Sequence, residues 1–302
     1  MTHPKDELVI ALDKLCFSFG SNLFAVANAD LKVERGEVVG FLGRNGAGKT
    51  TLLRCIGGIL SPTSGQVRVF GQDPLAEGFE VKQRLGYVDD ERSDIKDLNI
   101  QTWMELHEQL FPTWDPDYAS GLLERFELVP KRKFKHLSKG QARLAALIVA
   151  LAHRPELLIL DEPSGGLDPV ARRVFLELLL PAIDEDQTTV LFSSHQLQDV
   201  ERIASRIVLM NYGQIVIDEP IDRVTEQLTL VALASATAEE RRQLQGYSGT
   251  LSERRLDNGT SRFLIHGSEG ELKIKLDLPF VRTSYLPVNL EDLFLETMGS
   301  DQ

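Results

Sequence analysis

Gly43-Arg44-Asn45-Gly46-Ala47-Gly48-Lys49-Thr50 decides how this chain is read. The eight residues fit G-x-x-x-x-G-K-[ST], and the context that pattern needs stands on both sides. Val38-Val39-Gly40-Phe41-Leu42 reads as a buried strand, and Thr51-Leu52-Leu53-Arg54-Cys55-Ile56 opens a helix. Glycines let the backbone wind tightly enough for several N–H groups to point at one anion. The helix that follows adds its positive N-terminal end, with Thr51 in its first turn. Lys49 is placed to reach the outer phosphates, and the Thr50 hydroxyl to ligate magnesium. The stretch implies a site for a nucleoside triphosphate.

Bulk properties bound the setting. The 302 residues allow a large core and one smaller appendage. The formal net charge of −12, from 45 acids against 33 bases, argues against a duplex nucleic-acid binder, and no nucleic-acid partner is expected. The longest apolar run, Leu144 to Ala152, is far short of the about 20 residues a bilayer span needs. Lys5, Asp6, Glu7 and Asp13 among the first residues do not read as a signal peptide. Two cysteines, Cys16 and Cys55, make neither a metal set nor a disulfide framework and suit a reducing compartment. The expected location is cytoplasmic, with any membrane role exercised through another subunit.

Leu157-Leu158-Ile159-Leu160-Asp161-Glu162 is an apolar strand that ends in two carboxylates. Ligands of open α/β sheets collect at the carboxyl ends of strands, which would bring Asp161 near the phosphate loop as a magnesium ligand. Glu162 is placed to orient or deprotonate a water that attacks the γ-phosphate. A strand end with two solvated acids is the plainer meaning of this segment taken alone.

Leu137-Ser138-Lys139-Gly140-Gln141 carries a second signal. Ser138 and Gln141 have the spacing of a capping box ahead of an apolar helix through Leu144, Ala145, Leu147, Ile148 and Leu151. A hydroxyl at Ser138, a small residue at Gly140 and a helix N-terminus also make a second anion site. Two phosphate-type sites in one chain imply a nucleotide held between two copies.

In this order, Gly43–Thr50, Leu137–Gln141 and Asp161-Glu162-Pro163-Ser164-Gly165-Gly166-Leu167-Asp168 resemble the ATP-binding cassette family. Ser193-Ser194-His195, after the strand Thr189-Val190-Leu191-Phe192, matches that family's switch histidine. The resemblance runs over roughly residues 8 to 220 and implies a P-loop NTPase fold. It further implies an ATP-hydrolysing subunit that works as a head-to-tail pair, a homodimer or a pairing with a related cassette. Each ATP would lie between one chain's phosphate loop and the other's Ser138–Gly140. By resemblance, Lys49 binds the β- and γ-phosphates, Thr50 and Asp161 serve magnesium, Glu162 polarises the attacking water, His195 contacts the γ-phosphate, and Asp168 crosses the dimer interface. An aromatic is expected on the adenine; Phe19 occupies the usual place, while either Phe17 or Phe19 would also serve as strand core.

The chain departs from the pattern as well. Such cassettes carry a Gln after a G-Y-x-P run, whereas here Gly86-Tyr87-Val88 is followed by Asp89-Asp90-Glu91. An acid there would ligate magnesium, with Asp90 favoured over Asp89; a solvated charge run is the alternative. Lys139 stands where Gly is commoner and Gly165 where Ser is common, and Ser138 and Gly140 remain.

The fold expected is α/β: a P-loop NTPase core with an antiparallel β subdomain formed from residues 8–40, an inserted helical subdomain over about 93–153, and a small C-terminal α/β appendage. The boundaries are 1–220 for the ATP-binding domain and 221–302 for the accessory domain. The helical stretch breaks at Phe111-Pro112-Thr113-Trp114-Asp115-Pro116, and Trp103 and Trp114 either contact a membrane partner or, as the plainer meaning, fill its core. Ile207 to Ile217 reads as two strands about a turn at Asn211–Gln214. In the appendage a helix is expected over Glu239–Gln245, with strands around Phe263–Ile265 and Leu272–Leu278. Its end, Val288 to Phe294, resembles cassette subunits that serve exporter-type permeases.

Two functions follow from these residues. One is the ATPase that drives a separate membrane permease, bound at the inner face of the cell membrane. The other is a soluble cassette ATPase acting on DNA or the ribosome. The single cassette, the acidic balance and the lack of a long heptad run favour the first.

Overall fold

A computed structural model describes residues 8–20, 24–89, 95–276, 278–279 and 282–298. Strand β1 (Leu8–Ser18) pairs antiparallel with β2 (Phe24–Glu34) and with β4 (Ser64–Val69) in a three-stranded sheet ordered β2-β1-β4. The larger sheet has six strands, ordered β5-β6-β7-β3-β8-β9: Leu85–Val88, Leu157–Leu160, Thr189–Ser194, Val38–Leu42, Arg206–Asn211 and Gln214–Pro220. Its first five are parallel, and β9 turns back antiparallel on β8 around Asn211–Gln214.

Uninterrupted aliphatic runs are what a parallel strand covered on both faces requires. In β6 the side chains of Leu157 and Ile159 face one layer and those of Leu158 and Leu160 the other. The first layer packs against β1, β2, β4 and helix α1 (Lys49–Ile56). The second packs against α5 (Lys139–Leu151), α6 (Pro169–Asp184) and α7 (Leu197–Ile203). Helix α2 (Gly78–Gln83) leads into β5.

Three helices fill most of 95–153: α3 (Ile100–Leu110), α4 (Pro116–Arg125) and α5. Each starts at a side-chain cap. The Thr102 N–H donates to Asn99 at 2.7 Å, the Tyr118 N–H to Asp115 at 2.8 Å, and the Gln141 N–H to Ser138 at 3.2 Å. The break at Phe111–Asp115 falls between α3 and α4, where Pro116 takes the first helical turn. Trp103 and Trp114 pack, partly buried, against the second layer.

After α8 (Ile221–Gln227) the chain runs β10 (Leu228–Ala234), α9 (Ala238–Gln245), β11 (Thr250–Arg255), β12 (Thr260–His266), α10 (Glu269–Lys275), β13 (Thr283–Pro287) and α11 (Leu290–Met298). The four strands form an all-antiparallel sheet ordered β11-β12-β10-β13, a split βαβ arrangement of the ferredoxin-like kind. One face, through Val231, Leu233, Phe263 and Ile265, buries Leu244 of α9 and Leu272 of α10. The other, through Leu228, Leu230 and Leu264, joins the second layer of the main core together with Leu290, Leu293 and Met298 of α11.

One expectation fails here. Leu272–Leu278 alternates like a strand, yet residues 269–275 are helix α10. Ser268 and Glu271 form a capping box that starts the helix, Leu272 and Leu276 are buried in the core with Leu278 partly buried against it, and Ile274 is 87% exposed. Two core contacts four residues apart satisfy a helix, and the local cap outweighs a period-two pattern.

Candidate functional site

The site is assembled at the carboxyl ends of three adjacent strands, β6, β7 and β3. From β3 the chain enters the loop Gly43–Gly48 and then α1, whose first residue is Lys49. Gly48 has φ +100°, and a Cβ there would sit 2.1 Å from the Ala25 carbonyl oxygen. At Gly43 a Cβ would fall 2.5 Å from the Met210 carbonyl oxygen. These glycines therefore let the loop nest between β2 and the β8–β9 hairpin. The hairpin clasps it in return: the Gly213 N–H donates to Ala47 O at 3.1 Å and the Ala27 N–H to Gly213 O at 2.8 Å.

Lys49 is 6% exposed. Its Nζ donates to the carbonyls of Gly43 at 2.7 Å and Arg44 at 3.3 Å, and lies 3.7 Å from Glu162 Oε1. Burial lowers its pKa from the usual lysine value, and the charges of Glu162 and Asp161 oppose that shift. The Thr50 hydroxyl donates to Asp161 Oδ1 at 3.0 Å. Asp161 is buried and its pKa is raised, chiefly by desolvation, with the hydrogen bonds from Ser193 and Thr50 working against the rise.

Glu162 follows in the left-handed region, φ +46°, an uncommon place for a residue with a side chain. Its N–H donates to the Ser193 hydroxyl at 2.8 Å, and its Oε2 is 2.7 Å from His195 Nδ1. Ser193 also donates to Asp161 Oδ1 at 2.7 Å. One serine at the end of β7 thus fixes the Asp161 carboxylate and the Glu162 backbone at the end of β6. In the sequence Ser193 stands out only as the first of the triplet ending in His195; β6–β7 adjacency is what gives it a role.

A cavity of about 520 Å³ stands over the loop, lined by Phe19, Phe24, Ala25, Asn45–Thr51 and Glu162. Phe19 is 66% exposed above it, while Phe17 packs partly buried against the first core layer with its ring edge-on to Phe19 at 4.9 Å. The dimensions suit a nucleotide, with phosphates at the N-terminus of α1 and a base near the phenylalanines.

Ser138, Gly140 and Asp168 do not line that cavity. They form a second cluster where α5 and α6 begin. Ser138 and Gln141 make the reciprocal capping box expected. A Cβ on Gly140 would stand 3.0 Å from Ala171 Cβ. Asp168 accepts the N–H groups of Val170 and Ala171, both at 2.9 Å, and so caps α6. Asp89 is paired with Arg54 at 3.2 Å, and Asp90, the favoured magnesium acid, lies outside the described residues.

A family model described as "ABC transporter" matches residues 26–165. The ABC transporter ATP-binding protein YtrB of Bacillus subtilis is 30% identical over 281 residues, spanning 90% of this chain and 92% of its own length. The bacitracin transport ATP-binding protein BcrA of Bacillus licheniformis is 27% identical over 305 residues, 96% of this chain and 97% of its own. Among solved structures, a dimeric post-hydrolysis state of the ATP-binding cassette MJ0796 bound to ADP and Pi superposes with TM-score 0.63 at 25% identity, covering 70% of this chain and 98% of that one. An ATP-binding subunit of an ABC transporter superposes with TM-score 0.64 at 22% identity over 89% and 100%, a likeness of fold.

Proposed function

The chain belongs to the ABC transporter family of ATP-binding cassettes and is an ATPase; on that footing we propose that it energises a separate membrane permease as one half of a head-to-tail pair. The observation that carries the reading is the pairing of Lys49 and Glu162 in the cavity above the phosphate loop, with His195 bonded to Glu162 behind it.

In this reading residues Gly43–Thr51 hold the phosphates of ATP, Lys49 reaches the β- and γ-phosphates, and Phe19 stacks on the adenine. Water attacks the γ-phosphorus, its proton passes to Glu162, and the bond to the β-phosphate oxygen breaks to leave ADP and phosphate. His195 holds Glu162 from the solvent side and contacts the γ-phosphate. Thr50 and Asp161 are hard oxygen donors already 3.0 Å apart, a set that fits magnesium. Bound there, the ion would neutralise charge on the β- and γ-phosphate oxygens.

Ser138, Gly140 and Asp168 serve the partner copy's nucleotide. Their placement away from their own chain's cavity supports this division, as does the dimeric form of the MJ0796 cassette. No described helix is long and apolar enough to cross a membrane; in this reading the transmembrane path belongs to another chain. A docking place for it lies between β5, α3 and α5: a cavity of about 270 Å³ floored by Tyr87, Trp103, His107 and Phe111. Ile59 lines it and, with the nearby Leu106 and Leu110, is exposed. The permease would hold this subunit at the cytoplasmic face. We assign 1–220 to the ATPase and 221–302 to an accessory domain; the match to the bacitracin transport ATP-binding protein BcrA runs over 96% of this chain, so it takes in the appendage as well.

Glu162→Gln tests the core of this reading. The variant should bind ATP normally, turn it over about 10² times more slowly, and run as a dimer by size-exclusion chromatography only when ATP is present. Wild-type turnover by the variant, or full turnover by a strictly monomeric wild type, would overturn it.

A further inference from the structure

Asp199 is a buried carboxylate that the hydrolytic scheme does not use. It lies on α7, four residues past His195, and is 4% exposed. The Ser164 hydroxyl, itself 5% exposed and two residues past Glu162, donates to Asp199 Oδ2. On the other side Arg172 Nε of α6 stands 3.6 Å from Asp199 Oδ1.

Besides the Ser193 bridge to Glu162 and Asp161, the segments that carry Glu162 and His195 are tied at two further places. One tie, His195 Nδ1 to Glu162 Oε2, is open to solvent, with His195 half exposed. The other, Ser164 to Asp199, is shut away from water, where a hydrogen bond to a charge is strong and an unpaired partner is costly. The turn between them is short: the Gly165 N–H donates to Glu162 O at 3.0 Å and the Leu167 N–H to Ser164 O at 3.1 Å. Helix α7 packs closely on β3, with Val200 Cγ1 only 2.8 Å from where a Cβ on Gly40 would lie. Glu162 needs such restraint, since its left-handed backbone persists only where the surroundings hold it.

We propose that Asp199 is a positioning residue that keeps Glu162 and His195 in register by clamping the Ser164 turn to α7. The proposal rests on those two residues being the hydrolytic pair.

Steady-state ATP hydrolysis by the full chain tests it, with Asp199→Ala, Asp199→Asn and Ser164→Ala. The two alanine variants should lose about tenfold in kcat with KM for ATP within about twofold. Asp199→Asn keeps an acceptor for Ser164 and should stay within about threefold of wild type. In a His195→Ala background, Asp199→Ala should cost less than about twofold more, because the pair it aligns is already gone. Wild-type kcat in both alanine variants overturns the proposal. So does a full tenfold loss on top of His195→Ala, which would mean general damage. Should Asp199→Ala fail to fold, Ser164→Ala, which removes one hydroxyl, decides by the same criteria. If Glu162→Gln and His195→Ala hydrolyse at the wild-type rate, the reading of the site falls and takes the clamp with it. If both are slow while the clamp variants are not, the clamp alone falls.

Discussion

The two surfaces proposed to meet phosphate in this chain are finished to different degrees. Around Gly43–Thr50 the loop is nested, Lys49 and Asp161 are buried, and Glu162 is held by His195, Ser193 and Lys49. Around Ser138–Gly140 the polar groups serve their own helix starts: Ser138 caps α5 and Asp168 caps α6. Burial and preorganisation belong to the surface that must do chemistry. In the proposed pair, the surface that closes over another copy's substrate would need accessible donors at a rigid helix end, and the two capped helices are rigid in that sense.

The sharpest way to break this contrast is to mix two crippled chains. Ser138→Asp keeps a good N-cap for α5 and sets a negative charge where the partner's phosphate would arrive. Lys49→Ala leaves the second surface intact and removes the first. Each alone should hydrolyse ATP about a hundredfold more slowly than wild type. Mixed in equal amounts, half the dimers by random pairing hold one whole site, and roughly a quarter of the wild-type rate should return. If Ser138 acted within its own chain, mixing would restore nothing.

Nucleotide affinity of the isolated chain separates the surfaces next. Lys49→Ala removes charge-assisted bonds to the outer phosphates and should weaken ATP binding on the order of 10- to 100-fold by fluorescence titration. Ser138→Asp should leave monomer affinity unchanged. Equal loss in both variants would erase the distinction. Phe19→Ala probes the far end of the same surface: stacking on a base contributes about 1–3 kcal/mol, so about a tenfold loss is expected for ATP and ADP alike. Phe17→Ala would instead lower thermal stability, because that ring packs against the first core layer.

The same contrast governs how much could be read without coordinates. Local chemistry was legible: the glycine loop with its flanking strand and helix, the carboxylates after an aliphatic strand, the Ser138 capping box. Contacts made by sheet order were not. Ser193 gains its role from lying beside β6, Gly213 and Ala25 grip the loop across sheets, and Asp199 meets Ser164 only once α7 is folded onto β3. The appendage was the least legible part. Its strands are short, its apolar pattern is shared between two cores, and Leu272–Leu278 carried a strand-like alternation over a capped helix.

Lys139 gives the finest test of the second surface. It is the first residue of α5, beside Ser138, and it is exposed. Its ammonium lies over the turn after Glu162, 2.6 Å from where a Cβ on Gly166 would be. A cation at a helix N-terminus works against the helix dipole, so its local effect on α5 is unfavourable. Its gain comes when an anion approaches, as the γ-phosphate on a partner copy would. Lys139→Gln keeps length and helix propensity and removes only the charge. In the Glu162→Gln background, the ATP-bound dimer should dissociate about threefold more readily at low salt, by analytical ultracentrifugation. The difference should vanish near 1 M salt, where the screening length falls to about 3 Å. A dimer that is unchanged, or tighter, without the charge would place Lys139 on a surface that never meets phosphate, and the two surfaces would then differ in their partners as well as in their finish.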